Sequence, residues 1–461
     1  MENSATNAWN LNFDNGNRNN NNKTTNTNRV RPVTAFEWIK VVRKVMVEAE
    51  GFIEAYYACI IGKRSSGDAL RFQANFFANM QQLIDEVQTR TYRPLPSISF
   101  VLTKPVFREV FAADFRDRIV HTWIALRLEP LYEQAFSDRT FNCRKGKGQL
   151  YGINRLADDI KIMSDNNRIT VWYLKCDLKG FFMSIPKAQL AKKVDAFIVE
   201  HYHKPDQDTL RYLSWITIMH DPTKDCKFHS PQELRDKVPL GKSLFHNPDG
   251  YGVPIGNLTS QHNANFYLNP FDWWLETALG IYMHGRYVDD FYCLNTDKEY
   301  LLGCIPKIRA YLKEELGVKL HPKKIMMQRC ESGIKFTGMV CKRGRIYISN
   351  RTVANFENLI YYINSKIDSM TIVDLEKFLA SLNSYLGLMQ HAKSYAIKRR
   401  IIGQLDKRFF NFVYARERLK SLRIKKKYRF YPASVELLKT KGNQAAMIED
   451  CFGVINKSLA A

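Results

Sequence analysis

The sequence has no apolar run near the roughly 18 residues that a membrane-spanning helix needs, and its first residues are polar, without the apolar stretch of a signal peptide. Both absences predict a cytoplasmic protein with no membrane partner. Cysteine is sparse: nine residues, scattered singly, with no Cys-x-x-Cys pair, which fits reduced thiols and not a disulfide framework. Acidic residues are also in deficit. The 461 residues hold 46 Asp and Glu against 69 Lys and Arg, a net charge of +23, which favours a polyanionic partner such as nucleic acid. No repeat of fixed period is present.

Apolar residues, by contrast, make up 45% of the chain, enough for sizeable cores in two to four domain-sized units. Twelve of the first 28 residues are Asn. Such a segment cannot bury enough apolar surface to offset its ordering entropy, so residues 1–34 are expected to be a disordered arm. Residues 35–97 read as helical, with Phe36, Ile39, Val42, Val45 and Met46, then Phe72, Phe76, Met80, Leu83 and Val87, at spacings of three and four.

A short extended run, Ile98 to Leu102, precedes a helix expected from about Phe115 to Gln134 and another ending at Met163. The run Ile169 to Leu178 is rich in β-branched and aromatic residues and reads as a buried strand, whereas Ile281 to Leu294 alternates as a hairpin would. Between them lie an insertion with helices, residues 187–250, and a helix from about Ser260. Further on, the pattern predicts a helix from Lys307 to Leu316, short strands near Phe336 and Ile346, and helices from about Val353 to Val413. Residues 393–429 hold fourteen Lys or Arg against two acids, interleaved with Phe409, Phe410, Phe412, Tyr414 and Tyr428. This suits nucleic-acid backbone binding with base stacking.

Asp177 ends the expected strand, and Asp289-Asp290 stand at the turn of the expected hairpin. Far apart in the chain, they converge only if the two strands lie side by side in one sheet. Acids gathered inside a basic protein call for a cation. Mg²⁺ is usually held by one or two carboxylates plus substrate phosphates, and two such ions roughly 3.5–4 Å apart can clamp an in-line phosphoryl displacement. Asp177, Asp289 and Asp290 are therefore the candidate catalytic and metal-binding residues.

A family resemblance follows from these residues. Asp177-Leu178-Lys179-Gly180-Phe181-Phe182, then Gly256-Asn257-Leu258-Thr259-Ser260-Gln261, then Tyr287-Val288-Asp289-Asp290, resemble in order and spacing three motifs of reverse transcriptases. The stretch Phe100 to His121, with Cys143 to Gly148 and Ile255 to Gln261, is similar to the reverse transcriptases of diversity-generating retroelements in particular. The resemblance implies an α+β fold, a right-hand polymerase of fingers, palm and helical thumb. Its implied divisions are the arm, 1–34; a helical region, 35–97; fingers and palm, 98–349; thumb, 350–415; and a basic C-terminal extension, 416–461.

The resemblance also implies individual roles. Two Mg²⁺ ions, or Mn²⁺, would be held by Asp177, Asp289, Asp290 and the backbone of Leu178. Lys104 and Arg108 would hold the incoming triphosphate, and Phe182 would exclude a ribose 2′-hydroxyl. Ile255, standing before Gly256 where related polymerases keep Gln, implies low fidelity opposite template adenine, since apolar contacts reject wrong partners weakly. Lys324 matches a lysine that protonates pyrophosphate, with Lys323 as its neighbour. Phe336 and Gly338 would belong to the primer grip.

The expected function is RNA-directed DNA synthesis that copies a template-repeat RNA into adenine-mutagenised cDNA. Its expected partners are template RNA, the cDNA–primer duplex, dNTPs and an accessory variability protein. The alternatives are a defence-type or retron-like reverse transcriptase and, without chemistry, an RNA-binding scaffold. Residues 1–33 resemble the variable end of a lectin-like target, so they read as a translated template repeat, a misassigned start or a plain low-complexity arm. His220, Cys226 and His229 lack a fourth ligand at zinc-site spacing. Gly241-Lys242-Ser243 lacks the upstream Gly of a phosphate-binding loop.

Overall fold

A computed structural model describes residues 7–11, 18–22, 49–64, 66–104 and 106–428. The expected helix through Phe36–Met46 and the chain after Tyr428 lie outside the described residues. Where the first 34 residues were expected to lack structure, Asn7–Leu11 and Arg18–Asn22 pair as an antiparallel ribbon. Backbone pairing needs no apolar side chains, although two strands alone are marginal in water.

The centre of the molecule is a four-stranded antiparallel sheet in the spatial order His284–Tyr287, Asp290–Asn295, Trp172–Asp177, Met326–Arg329. Side chains alternate across a strand, so Leu174 and Cys176 face one way and Tyr173, Lys175 and Asp177 the other. Leu174 and Cys176 join Phe291 and Cys293 in the largest core, under the helices Phe115–Ala135 and Leu258–Thr277. On the opposite face Tyr173 and Tyr292 stack at 5.8 Å and pack with Phe141, Phe336 and the helix Gln149–Met163. The expected buried strand is thus sandwiched between two cores. It starts at Trp172 and not Ile169, because Asp165, Asn166 and Asn167 all turn with positive φ. Asp and Asn tolerate that region better than other side chains with a Cβ.

In front of the sheet, Ile98–Leu102 and Arg108–Ala112 form a hairpin, and Lys227–Phe228 from the insertion adds a third, parallel strand beside Ile98. Behind it, Ile334–Phe336, Met339–Lys342 and Arg345–Ile348 make a second small sheet. The helix expected from Lys307 runs from Lys298 to Glu314, since the Asp297 carboxylate accepts the Tyr300 N–H and caps it there.

The helices Asn350–Ser365, Ile372–Met389 and Tyr395–Ile402 share a separate core with the antiparallel pair Val413–Arg416 and Ser421–Ile424. This changes two expectations. A boundary at residue 415 falls inside a strand, and the helical unit continues through that hairpin. Phe409 and Phe412 are buried in its core and cannot stack on bases, whereas Tyr414 is 40% exposed. The basic charge of the segment had masked its apolar half.

Candidate active site

Asp177 and Asp290 are cross-strand partners at the end of the central strand pair, and Tyr287 faces Asp290 across the adjoining hairpin. Only Val288 and Asp289 lie between the hairpin strands. Val288 has φ of +61°, unusual for a β-branched residue and a local strain of roughly 1–3 kcal/mol. The strain is held from three sides. The Asn142 Oδ1 accepts the Val288 N–H at 2.8 Å, the Arg286 guanidinium donates to the Val288 carbonyl at 3.1 Å, and the Asp289 carbonyl accepts from the Leu178 N–H at 3.2 Å.

Arg286 is itself fully buried. It forks onto both oxygens of Asp272 and reaches Asn265 Oδ1, while Thr140 donates to Asp272 at 2.6 Å. The carboxylate turn is therefore anchored to the middle of the Leu258–Thr277 helix. Sequence reading missed this anchor. The one available signal was the polar set Asn263, Asn265, Asn269 and Asp272 among the aromatic and aliphatic residues of that helix, all four of which are buried.

Burial, then the charge of Asp177, push the Asp289 carboxyl up to about 6. Burial also raises Asp290 against the opposing pull of Lys175. Two ammonium groups answer the excess negative charge. Lys324 Nζ lies 2.9 Å from both oxygens of Asp177, and Lys175 Nζ lies 3.0 Å from Asp290. Lys175 was not expected here, though it shares a strand face with Asp177. Among the described residues, no group of three or more His, Cys, Asp or Glu side chains is arranged to hold a metal on its own. Asp177 and Asp290 supply in-register hard oxygen donors, a set that suits a hard divalent cation completed by substrate phosphates.

The raised Asp289 carboxyl gives a pH prediction. A group whose folded pKa lies above its unfolded value binds a proton on folding, so its ionisation lowers the stability of the metal-free protein as pH rises from about 4 through about 6. Divalent cations bind the ionised form. Excess Mn²⁺ should therefore raise Tm more at about pH 7.5 than at about pH 5, and Asp289→Asn should flatten that difference. Equal shifts in the unsubstituted protein at both pH values would contradict the assignment.

The other expected site residues lie on several elements. Lys104 and Arg108 are exposed on the front hairpin. That hairpin docks by the Phe111 N–H donating to the Ile255 carbonyl at 2.8 Å. Gly256 has φ of +126°, and a Cβ there would stand 2.5 Å from the Phe111 carbonyl oxygen. Gly256→Ala should push the hairpin away at a cost of roughly 1–3 kcal/mol, readable as a lower urea midpoint. An unchanged midpoint would show the docking to be loose.

Phe181 is core, whereas Phe182 is half-buried, and both it and Ile255 pack against the cluster of Phe111, Met183 and Leu244. Leu178 is buried and bridges to Leu320. Phe336 does not reach the surface: it is buried against Phe141 and Tyr292, so any contact with a primer belongs to the turn it anchors. Thr337 and Gly338 form that turn with positive φ at both positions, the two-residue turn that suits strand twist.

Residues 104–341, more than half of the chain, match the family described as reverse transcriptase (RNA-dependent DNA polymerase). The chain belongs to that family, and its α+β architecture is that of a right-hand polymerase. No curated protein matches it. Among solved structures it is similar to apo telomerase from Candida tropicalis, both truncated from the C-terminal domain and untruncated. Identity is 13% and the TM-score 0.41 in each case, covering 57% and 68% of this chain and 59% and 62% of theirs. Telomerase from Candida albicans in complex with a fragment of telomeric RNA is similar at 11% identity and a TM-score of 0.40, over 73% of this chain and 60% of that one. The chain thus spans about 60% of the length of these structures. No described helix is long and apolar enough to cross a membrane.

Proposed function

We propose that the protein is an RNA-directed DNA polymerase whose reaction centre is Asp177, Asp289 and Asp290. The observation that carries this is the in-register pairing of Asp177 with Asp290 beside a strained turn that presents Asp289. Two divalent ions, Mg²⁺ or Mn²⁺, would be held by these carboxylates with the Leu178 carbonyl. When bound they supply activation of a primer 3′-hydroxyl and neutralisation of the departing pyrophosphate.

The chain's own residues do the rest. Lys104 and Arg108 compensate the triphosphate charge, and Phe182 stands beside the sugar where a 2′-hydroxyl would clash. Lys324, paired with Asp177, would release that carboxylate and protonate pyrophosphate. Tyr414, Arg416 and Arg423 lie exposed on the hairpin Val413–Ile424 and suit contact with a template–primer duplex. The Thr337-Gly338 turn supports the primer end.

The finer reading is a reverse transcriptase of a diversity-generating retroelement. It copies a template-repeat RNA in the cytoplasm with an accessory variability protein, and errs opposite adenine. Ile255 supports it, an apolar side chain resting on the same cluster as Phe182 where a polar contact would sharpen base choice. Sequencing cDNA made on an adenine-containing RNA tests both levels. Errors concentrated at template adenines are expected. Evenly spread errors would remove the finer reading, and absence of cDNA would remove the polymerase itself.

A further inference from the structure

The insertion, residues 187–250, is fastened to the front hairpin and to the short helix Phe181–Ser184 by bonds that the chemistry at the carboxylates does not require. Its Lys227–Phe228 strand extends the hairpin sheet. Phe245 bridges inward, with ring centres 5.6 Å from Phe228 and 5.7 Å from Phe111. Past Phe245 the chain runs along the short helix Phe181–Ser184. Asn247 donates to the Met183 carbonyl at 2.7 Å, Gly252 N–H to the Ile185 carbonyl at 2.8 Å and Val253 N–H to the Phe182 carbonyl at 2.9 Å.

The other edge hangs on one buried carboxylate. Glu109 is 6% exposed and accepts from the Ser243 hydroxyl at 2.7 Å and from the Leu244 N–H at 3.0 Å. Among the described residues it has no ion-pair partner within 4.0 Å. A buried charge held only by neutral donors is costly to leave unmet, so it fixes its donors firmly. Leu244 then packs with Phe111 and Met183, and Phe182 and Ile255 rest on that cluster. Gly241 closes the wall: its carbonyl oxygen is 3.1 Å from where a Cβ on Gly180 would stand.

We propose that residues 239–253 form a wall of the nucleotide pocket, pinned by Glu109 as a positioning residue, and that this wall sets discrimination between deoxy- and ribonucleotides by holding Phe182 in place. The inference rests on the polymerase reading and on Phe182 standing beside the sugar. Glu109 touches no reacting atom. Its effect passes through Leu244 and Met183 to the ring.

The test is primer extension on an RNA template by the full chain, with dNTP and rNTP compared for the unsubstituted protein, Glu109→Ala, Glu109→Gln and Ser243→Ala. Glu109→Ala should narrow the dNTP-to-rNTP preference in kcat/KM by roughly tenfold, expressed in KM and not in kcat. Glu109→Gln, which keeps an acceptor, should retain most of the preference. Ser243→Ala, which deletes one of the two bonds and leaves the carboxylate paired, should lose part of it and serves if Glu109→Ala fails to fold. Adding Phe182→Ala to Glu109→Ala should cost little further preference, because both act through one ring. If the unsubstituted protein makes DNA but the preference survives Glu109→Ala, or Ser243→Ala where that variant does not fold, the wall is only structural and the proposal is overturned. If the unsubstituted protein makes no DNA, the polymerase reading fails first.

Discussion

Asp290→Asn should abolish DNA synthesis while leaving the protein folded and its metal-free Tm at least as high. The two effects separate because of the electrostatics of the site. Burial raises the Asp290 carboxyl, so its charged form costs stability in the absence of a cation, and a neutral amide of the same shape removes that cost. Lys175 would lose an ion pair at 3.0 Å, but it is partly exposed and regains water. Charge stabilisation at a metal-assisted phosphoryl transfer amounts to several kcal/mol, so the expected loss is on the order of 10³-fold or more in single-turnover extension. Retention of even a tenth of the rate would move the reaction centre elsewhere. RNA binding in a filter assay should hardly change, which separates loss of chemistry from loss of substrate.

Arg286→Met should produce the largest loss of stability of any single change near the site. The guanidinium is fully buried and meets Asp272, also fully buried, through three bonds of 2.6–3.0 Å. Removing it leaves a carboxylate in the core with only Thr140 to answer it, a penalty of roughly 3–5 kcal/mol. The measurement is the urea midpoint at constant m-value. Replacing both partners, Arg286→Met with Asp272→Leu, should recover most of that stability, because the uncompensated charge is gone. Activity should not recover with it. The Val288 carbonyl would still lack its donor at 3.1 Å, and the αL turn that presents Asp289 would relax. A double variant that regained both would make Arg286 a core ion pair without a role in presenting the turn.

The contrast between Asp290 and Arg286 marks how far the sequence could be read. The strand ending in Asp177 was legible as a continuous run of β-branched and aromatic residues and the hairpin at Asp289-Asp290 as an alternating one, each with acids at a predictable end. Their pairing in one sheet, though not its register, followed from the need of like charges to share a cation. Arg286 was invisible because an arginine in a hairpin normally reads as solvent-facing, and nothing local signals a partner fourteen positions back inside a helix. Lys175 was hidden for the same reason, inside a run that otherwise looks like pure core.

The C-terminal region failed in the opposite direction. There charge dominated the pattern, and Phe409 and Phe412 were read with the basic residues although they are core. Phe336 shows a subtler limit. A motif can locate a turn correctly while the named side chain serves only as its anchor, since motif position carries no information on which way a ring points.

The amide of Asn383 grips both the N–H and the carbonyl of Leu422, at 2.7 and 2.9 Å, much as a neighbouring strand would. A side chain thus completes the ladder at the free edge of the last hairpin. Proteins shortened at residue 415 would keep the Asn383 amide but lose the strand it grips together with Leu422, baring the apolar side of Ile372–Met389 to water. Such fragments should clump through that stripe before they lose any catalytic group.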